Sequence, residues 1–529
     1  MVYLLLSTAV IIFVCVLLNN ASYKIGMPVL LAFILFGMLA GSSRLFGLES
    51  EDFSRAEQLC TVALIFIMFY GGFGTNWKSA KSVALESGLL STVGVALTAG
   101  ITGVFCRFVL EWGWVESMLM GSVVASTDAA SVFSILRSRK LGLKNNIAPM
   151  LEVESGSNDP CSYMLTIIFL SVLNNEISGW KVVWTLFSQL AFGAGCGFLI
   201  AKAAVYSIRR MSFATSGFDS LFVLAVAIFS YALPTSIGGN GYLSAYIVGI
   251  VLGNTEFAGK RQMVGFFDGI TGLMQVLIFF DLGLLVRPEM MPKVILPALA
   301  IFLVMLLVSR PVSVAAILAP FKYRFKQRLL VSFVGLRGAA SIVFAIMVTE
   351  GAAYLQNDIL NIVFCIVLLS IALQGSLIPF VARKLDMIDD SVDVMKTFSD
   401  FSDETDLHFS EVPVTAGSSW KDRKLKDLNI PKSVLICTVI KKGGARIIPN
   451  GDTVLSEGDK AILCSKAFKS DSTLNIIQHT IGSEGDGITL KEHPFARNQI
   501  ILIKRGDTSI IPNGGTVLRA GDILFINKA

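Results

Sequence analysis

Histidine is nearly absent from this 529-residue chain: His408, His479 and His493 all fall in the last quarter. Protons handled anywhere earlier must therefore ride on carboxylates. Charge is also scarce, at 16% of residues, where soluble domains carry about 25%. The eight cysteines (Cys15, Cys60, Cys106, Cys161, Cys196, Cys365, Cys437 and Cys464) show no C-x-x-C spacing, and six lie in apolar runs. There they act as small hydrophobes rather than as a metal site or disulfide framework. No G-x-G-x-x-G follows a strand, and no nucleophile–base pair or metal motif lies among the apolar stretches. The first apolar stretch has neither a basic start nor a small-residue cleavage site, so it reads as a retained helix. These absences argue against a secreted disulfide scaffold and a free soluble enzyme, and they give no reason to expect a cofactor or nucleic acid.

What the chain does contain is apolar sequence: 53% of residues are hydrophobic and the mean hydropathy is +0.68. The bias is uneven. Residues 1–385 hold 26 Lys and Arg against 19 Asp and Glu, while 386–529 hold 18 against 20 in a much shorter length. The first part reads as an all-α polytopic membrane domain and the second as a soluble appendix. A spanning helix needs about 20 mostly apolar residues. Thirteen stretches qualify: 2–19, 27–43, 58–76, 83–109, 114–136, 147–174, 182–207, 218–236, 239–254, 264–286, 292–319, 328–350 and 357–382. An odd number puts the termini on opposite sides. With residue 1 outside, seventeen Lys and Arg fall in inner loops against about six in outer ones. That asymmetry places the tail in the cytoplasm.

Charged residues inside a bilayer are functional candidates, because each costs at least about 2.5–3.5 kcal/mol on insertion scales. Three segments stand out: Ser126-Thr127-Asp128, Glu154-Ser155-Gly156-Ser157-Asn158-Asp159-Pro160 and Gly335-Leu336-Arg337-Gly338-Ala339. Ser155 and Asp159 are four apart and share a helix face. Glu154 and Asp159 are five apart, about 140° round the helix, so they serve different points. The economical arrangement sets Asp159 against Asp128 in a polar cavity and pairs Glu154 with Arg337. Two carboxylates with the hydroxyls of Thr127 and Ser155 make a hard-oxygen site for an alkali cation, without soft ligands for a transition metal. Repulsion between neighbouring carboxylates favours protonation of one of them, so protons and cations compete. Alternate access to such a site suffices for exchange. The small residues around Thr127-Asp128 and Gly335–Ala340 suit broken helices whose freed backbone helps to bind the ion. Asp281, near an outer helix end, reads as solvated or as a vestibule charge. Gly193-x-Gly195-x-Gly197 reads as helix packing.

On these three segments, residues 1–385 resemble a monovalent cation/proton antiporter of the NhaP-like branch. Gly238-Gly239-Asn240-Gly241-Tyr242 to Gly253-Asn254 resembles a further segment of that family. The resemblance implies a homodimer of NhaA-like inverted repeats, with a moving core and a stationary dimer-forming domain. It implies that Asp159 binds the ion or proton, assisted by Asp128, Thr127, Asn158 and Ser155, and that Glu154 and Arg337 form a structural ion pair. Asn rather than Asp at 158 implies electroneutral exchange. One departure is visible: relatives carry an acid before Gly-Gly in the third stretch, where this chain has Tyr70-Gly71-Gly72.

Residues 386–411 read as an acidic, solvated linker. Beyond it a repeat appears at an offset of 63: Ile447-Ile448-Pro449-Asn450-Gly451 returns as Ile510-Ile511-Pro512-Asn513-Gly514, and Gly458-Asp459 as Gly521-Asp522. Each copy reads as short strands joined by Asn-Gly and Gly-Asp turns, and the first adds a helix-like stretch at 419–428. The copy at 412–470 resembles the small α+β RCK-C (TrkA-C) domain, and 471–529 a shortened relative. That likeness implies dimerisation and either a small regulator, such as cyclic di-AMP at 412–470, or a ligand-free dimerisation module. Together the features point to K⁺ or Na⁺ exchange for H⁺ across the cytoplasmic membrane, under control of the tail. An RCK-regulated channel or uniporter, and a sensor with a vestigial site, are the alternatives.

Overall fold

The computed structural model describes residues 2–25, 29–43, 53–139, 141–177, 179–210, 217–257, 260–286, 288–389, 407–428, 430–431, 434–443, 445–466, 476–482, 486–490, 499–505, 508–510, 512 and 515–527. Two compact units result, Met1–Ser402 and Asp403–Ala529. Most of the acidic linker lies outside the described residues.

Each of the thirteen apolar stretches coincides with helix. Seven helices among the described residues are long and apolar enough to cross a membrane on their own. Two stretches are broken, as the small residues predict. The fifth forms helices Trp114–Val123 and Ala129–Ser138, and the twelfth forms Phe325–Phe333 and Ala339–Gly351.

The helices group into two bundles by their packing. One is built from Val29–Ser43, Phe53–Gly74, Trp180–Arg210, Phe218–Ser236, Gly241–Gly253 and Lys260–Leu285. The other contains the helical run 81–108, the two broken stretches, Ile147–Leu173, the run 291–318 and the run 359–384. Glycine sets the close approaches in the first. A methyl at Gly72 would strike the main-chain oxygen of Tyr246, and one at Gly249 or Gly253 would strike that of Phe69 or Phe73. Helices Phe53–Gly74 and Gly241–Gly253 therefore touch backbone to backbone. Gly193 and Gly197 likewise pack on Asn240 and Ser244, while Gly195 faces open space.

In the second unit, two four-stranded antiparallel sheets share one topology. The first runs in the order 407–413, 460–466, 434–440, 446–447, and the second 476–480, 523–527, 499–505, 508–510. The repeat thus survives as structure. Its buried carboxylates are equivalent too. Asp459 accepts from Lys441 Nζ at 2.7 Å and from the Ser456 and Lys442 amides. Asp522 accepts from Arg505 Nε and Nη2 at 2.8 and 2.7 Å and from the Arg519 amide. The preceding Gly458 and Gly521 take φ of 92° and 88°, a turn conformation open to glycine at no steric cost.

The helix expected at 419–428 does not form. Its backbone bonds elsewhere: the Asp422 amide to Leu455 O at 2.7 Å and the Leu425 amide to Thr453 O at 3.0 Å. Only one tight helical turn remains, Leu425–Asp427.

Candidate functional site

The site lies where the two broken stretches cross. Residues 124–128 and 334–338 are unwound, and they are tied together by the Asp128 amide donating to Leu336 O at 2.8 Å. Unwinding frees main-chain groups that must find partners in a buried setting. Arg337, 3% exposed, donates through Nη1 to Ala125 O at 2.8 Å and Ser126 O at 2.6 Å. Gln374 donates to Phe333 O at 2.5 Å, and the Arg337 amide donates to Ser370 Oγ at 3.0 Å. Main-chain oxygens at and just beyond the carbonyl ends of the broken helices are thus met by donors. Their N-terminal ends meet a carboxylate: Asp128 accepts from the Ser131 amide at 3.2 Å and from the Ser131 hydroxyl. Gly338, next to helix Ala339–Gly351, leaves room for the same carboxylate, since a methyl there would overlap it. Asp128 stands between two helix N-termini, where the aligned peptide dipoles favour negative charge.

Helix Ile147–Leu173 brings the remaining groups. Asp159 is buried and accepts from the Ser126 hydroxyl, and it lies close enough to Asp128 for the two carboxylates to repel. Asn158 Nδ2 donates to Thr127 Oγ1, whereas Asn158 Oδ1 is buried and accepts no hydrogen bond among the described residues. Ser155 Oγ donates to Thr127 O and accepts from the Ala129 amide, both at 2.8 Å. That hydroxyl clamps the unwound stretch to the long helix. The sequence-predicted set Asp159, Asp128, Asn158, Thr127 and Ser155 is therefore brought together. It offers carboxylate, amide and hydroxyl oxygens and no soft ligand, a donor set that suits a hard cation.

The expected ion pair is corrected. Glu154 pairs with Arg310, at 2.6 Å between Oε1 and Nη2, and both side chains are buried. Arg337 instead holds main-chain oxygens. Helical geometry separates Glu154 from Asp159 but cannot choose between two arginines on other helices. Arg310 carries the same signal as Arg337, a charge inside an apolar run, and so was findable. Ser126 sits in the recognised Ser-Thr-Asp segment, and only the fold shows its hydroxyl on Asp159.

At the departure, Tyr70 donates to Asp268 Oδ1 at 3.3 Å. A carboxylate from helix Lys260–Leu285 thus stands beside the tyrosine that replaces the usual acid. Asp281 is half-buried near Cys60 rather than freely solvated.

Comparison with known proteins shows the family and the fold. The profile of the family described as sodium/hydrogen exchanger, transmembrane, matches residues 9–384, and that of the TrkA-C domain matches 409–467 and 476–526. The chain is 31% identical over 471 residues to a K(+)/H(+) antiporter NhaP of Alkalimonas amylolytica, covering 88% of this chain and 82% of that protein. It is 32% identical over 457 residues to K(+)/H(+) antiporter NhaP2 of Shewanella sp. (strain MR-4), covering 85% and 79%. The sodium proton antiporter MjNhaP1 of Methanocaldococcus jannaschii shares the fold, with a TM-score of 0.64 at 24% identity over 72% of this chain and 98% of that one. The chain belongs to the sodium/hydrogen exchanger family of membrane cation/proton antiporters and carries TrkA-C sequence behind its transmembrane part.

Proposed function

We propose that the chain exchanges K⁺ for H⁺ at Asp159, one cation for one proton, and performs no covalent catalysis. The observation that carries this reading is the oxygen set at the crossing. Asp159, the undonated Asn158 Oδ1 and Thr127 Oγ1 stand beside an unwound backbone. Protonating Asp159 removes the charge that holds the cation, so the two ligands exclude each other. Because position 158 is an amide, it adds no second titrating group, which supports electroneutral exchange. Asp128, between its helix ends, sets the local field. Ser155 and Thr127 shape the site, and the Glu154–Arg310 pair is structural.

Potassium rather than sodium is favoured by the names of the curated relatives and by the TrkA-C sequence. The excess of Lys and Arg in alternate loops supports an outside N-terminus and a cytoplasmic tail in a bacterial-type inner membrane. Homodimerisation and control by the tail belong to the same reading. A regulator of the cyclic di-AMP class at 412–470 is a separate proposal, and calorimetry on 405–529 without a heat of binding would remove it.

Proteoliposomes test the exchange itself. An imposed K⁺ gradient should move the internal pH, Na⁺ should do so less well, and clamping the membrane potential should leave the rate unchanged. A rate that follows the potential would overturn one-for-one exchange.

A further inference from the structure

Asp159 lies on helix Ile147–Leu173, which packs on helices of both bundles, and its surroundings differ towards the two ends of that helix. Towards Ile147, Gly156 and Ser157 are partly exposed, and the Tyr246 ring lies against Gly156. Towards Leu173, one helical turn from Asp159 and on the same face, stands Tyr163. Its ring meets that of Tyr242 edge-on at 4.8 Å and lies 5.8 Å from Phe344. Tyr242 in turn lies 4.8 Å from Tyr231. The Tyr231 hydroxyl lies near those of Tyr163 and Tyr242, and Thr61 stands next to Tyr242. Tyr163 and Phe344 belong to the bundle with the broken helices; Tyr231, Tyr242 and Thr61 belong to the other. Tyr242 is 2% exposed and Phe344 fully buried. Beyond the cluster lie Glu57 and Glu350, close enough to feel each other's charge.

This arrangement is a plug of rings across the boundary between the two bundles. Aromatic rings exclude water, and an edge-on ring contact can part without breaking an ion pair or a covalent bond. We propose that Tyr163, Tyr231 and Tyr242 form the seal that closes the Asp159 site from the Glu57–Glu350 side, and that exchange requires Tyr163 to part from Tyr242. The proposal deepens the antiport reading and rests on it for the movement. The ring contacts themselves belong to this structure.

The test places a reporter in the site. Asp159→Cys is exposed to a membrane-impermeant maleimide in everted and in right-side-out vesicles, with Asp159→Ala as the blank for the native thiols. The thiol should react from the tail side, which is the Ile147 end because Gly142 and Leu143 pair with Asp389 and Ile388 after the last membrane helix, and slowly, or not at all, from the opposite, Glu57–Glu350 side. Adding Tyr163→Ala should open reaction from the opposite side, and adding Tyr163→Phe should not. Reaction from the opposite side that Tyr163→Ala leaves unchanged, with tail-side reaction intact as evidence of folding, would overturn the seal. If tail-side reaction is also lost, Tyr242→Ala takes its place and the same two readings decide. Labelling needs no transport. A wild-type chain that exchanges no cation while this pattern holds would count against the antiport reading and leave the seal standing.

Discussion

Glu154 and Arg310 are a buried ion pair, 1% and 3% exposed. Removing one member of such a pair strands the other, at a cost of about 3–5 kcal/mol. Glu154→Gln and Arg310→Gln should each lower the midpoint of thermal unfolding in detergent. Replacing both by apolar residues of similar volume, Glu154→Met with Arg310→Leu, should cost less than the sum. Strict additivity would mean that the two do not act as a pair. At this scale the sequence was informative about residues and silent about partners. Carboxylates inside an apolar run announce themselves, because few other roles justify the insertion cost. Spacing along one helix then separates faces, as with Glu154 and Asp159. Which arginine answers Glu154 depends on how separate helices cross, and that is not written in either helix. The same limit hid Ser126 as the donor to Asp159 and Asp128 as a cap between helix ends.

Among elements, the contact between helices Phe53–Gly74 and Gly241–Gly253 is made by backbone, so its glycines are the sensitive positions. Gly249→Ala should destabilise the fold by about 1–3 kcal/mol, the usual cost of overpacking. Gly195→Ala faces open space and should be neutral or gain up to about 1 kcal/mol from helix propensity. Unfolding of the two purified variants side by side checks this, and equal effects would contradict the backbone contact. Broken helices were legible because Gly335, Gly338 and the small residues near Asp128 interrupt otherwise apolar runs. The stretch 419–428 departs from its helical pattern for a definite reason. Its charged residues fit a helical pattern, but Asp422 takes a left-handed φ of 57° and Lys424 bridges to Val454. Tertiary bonding outweighed local pattern there.

The whole molecule joins a membrane unit to a β-rich unit that titrates on its own terms. Burial pushes the Asp459 carboxyl up, but its bonds to the Lys441 ammonium and to the Ser456 and Lys442 amides hold it below the ordinary value. The Arg505 guanidinium does the same for Asp522 against burial. Carboxylates held low stabilise the folded state above the unfolded-state pKa of about 3.9 and lose that contribution as pH falls through their lower folded-state values. Asp459→Asn should therefore cost about 1–3 kcal/mol at neutral pH, and the deficit should shrink at acid pH. Denaturant unfolding of 403–529 followed by Trp420 fluorescence reads both. A deficit independent of pH would show that the charge of Asp459 is not what matters. The 63-residue repeat foretold two like sheets, since the same turn residues recur in both copies, but the order of strands came only from the fold.

The central claim is that cation and proton compete at Asp159. Everted vesicles energised by respiration acidify inside, and added K⁺ should collapse that pH gradient in the wild type. Asp159→Ala, present in the membrane at equal amount, should hold the gradient under the same addition. Collapse that persists in Asp159→Ala would contradict the account.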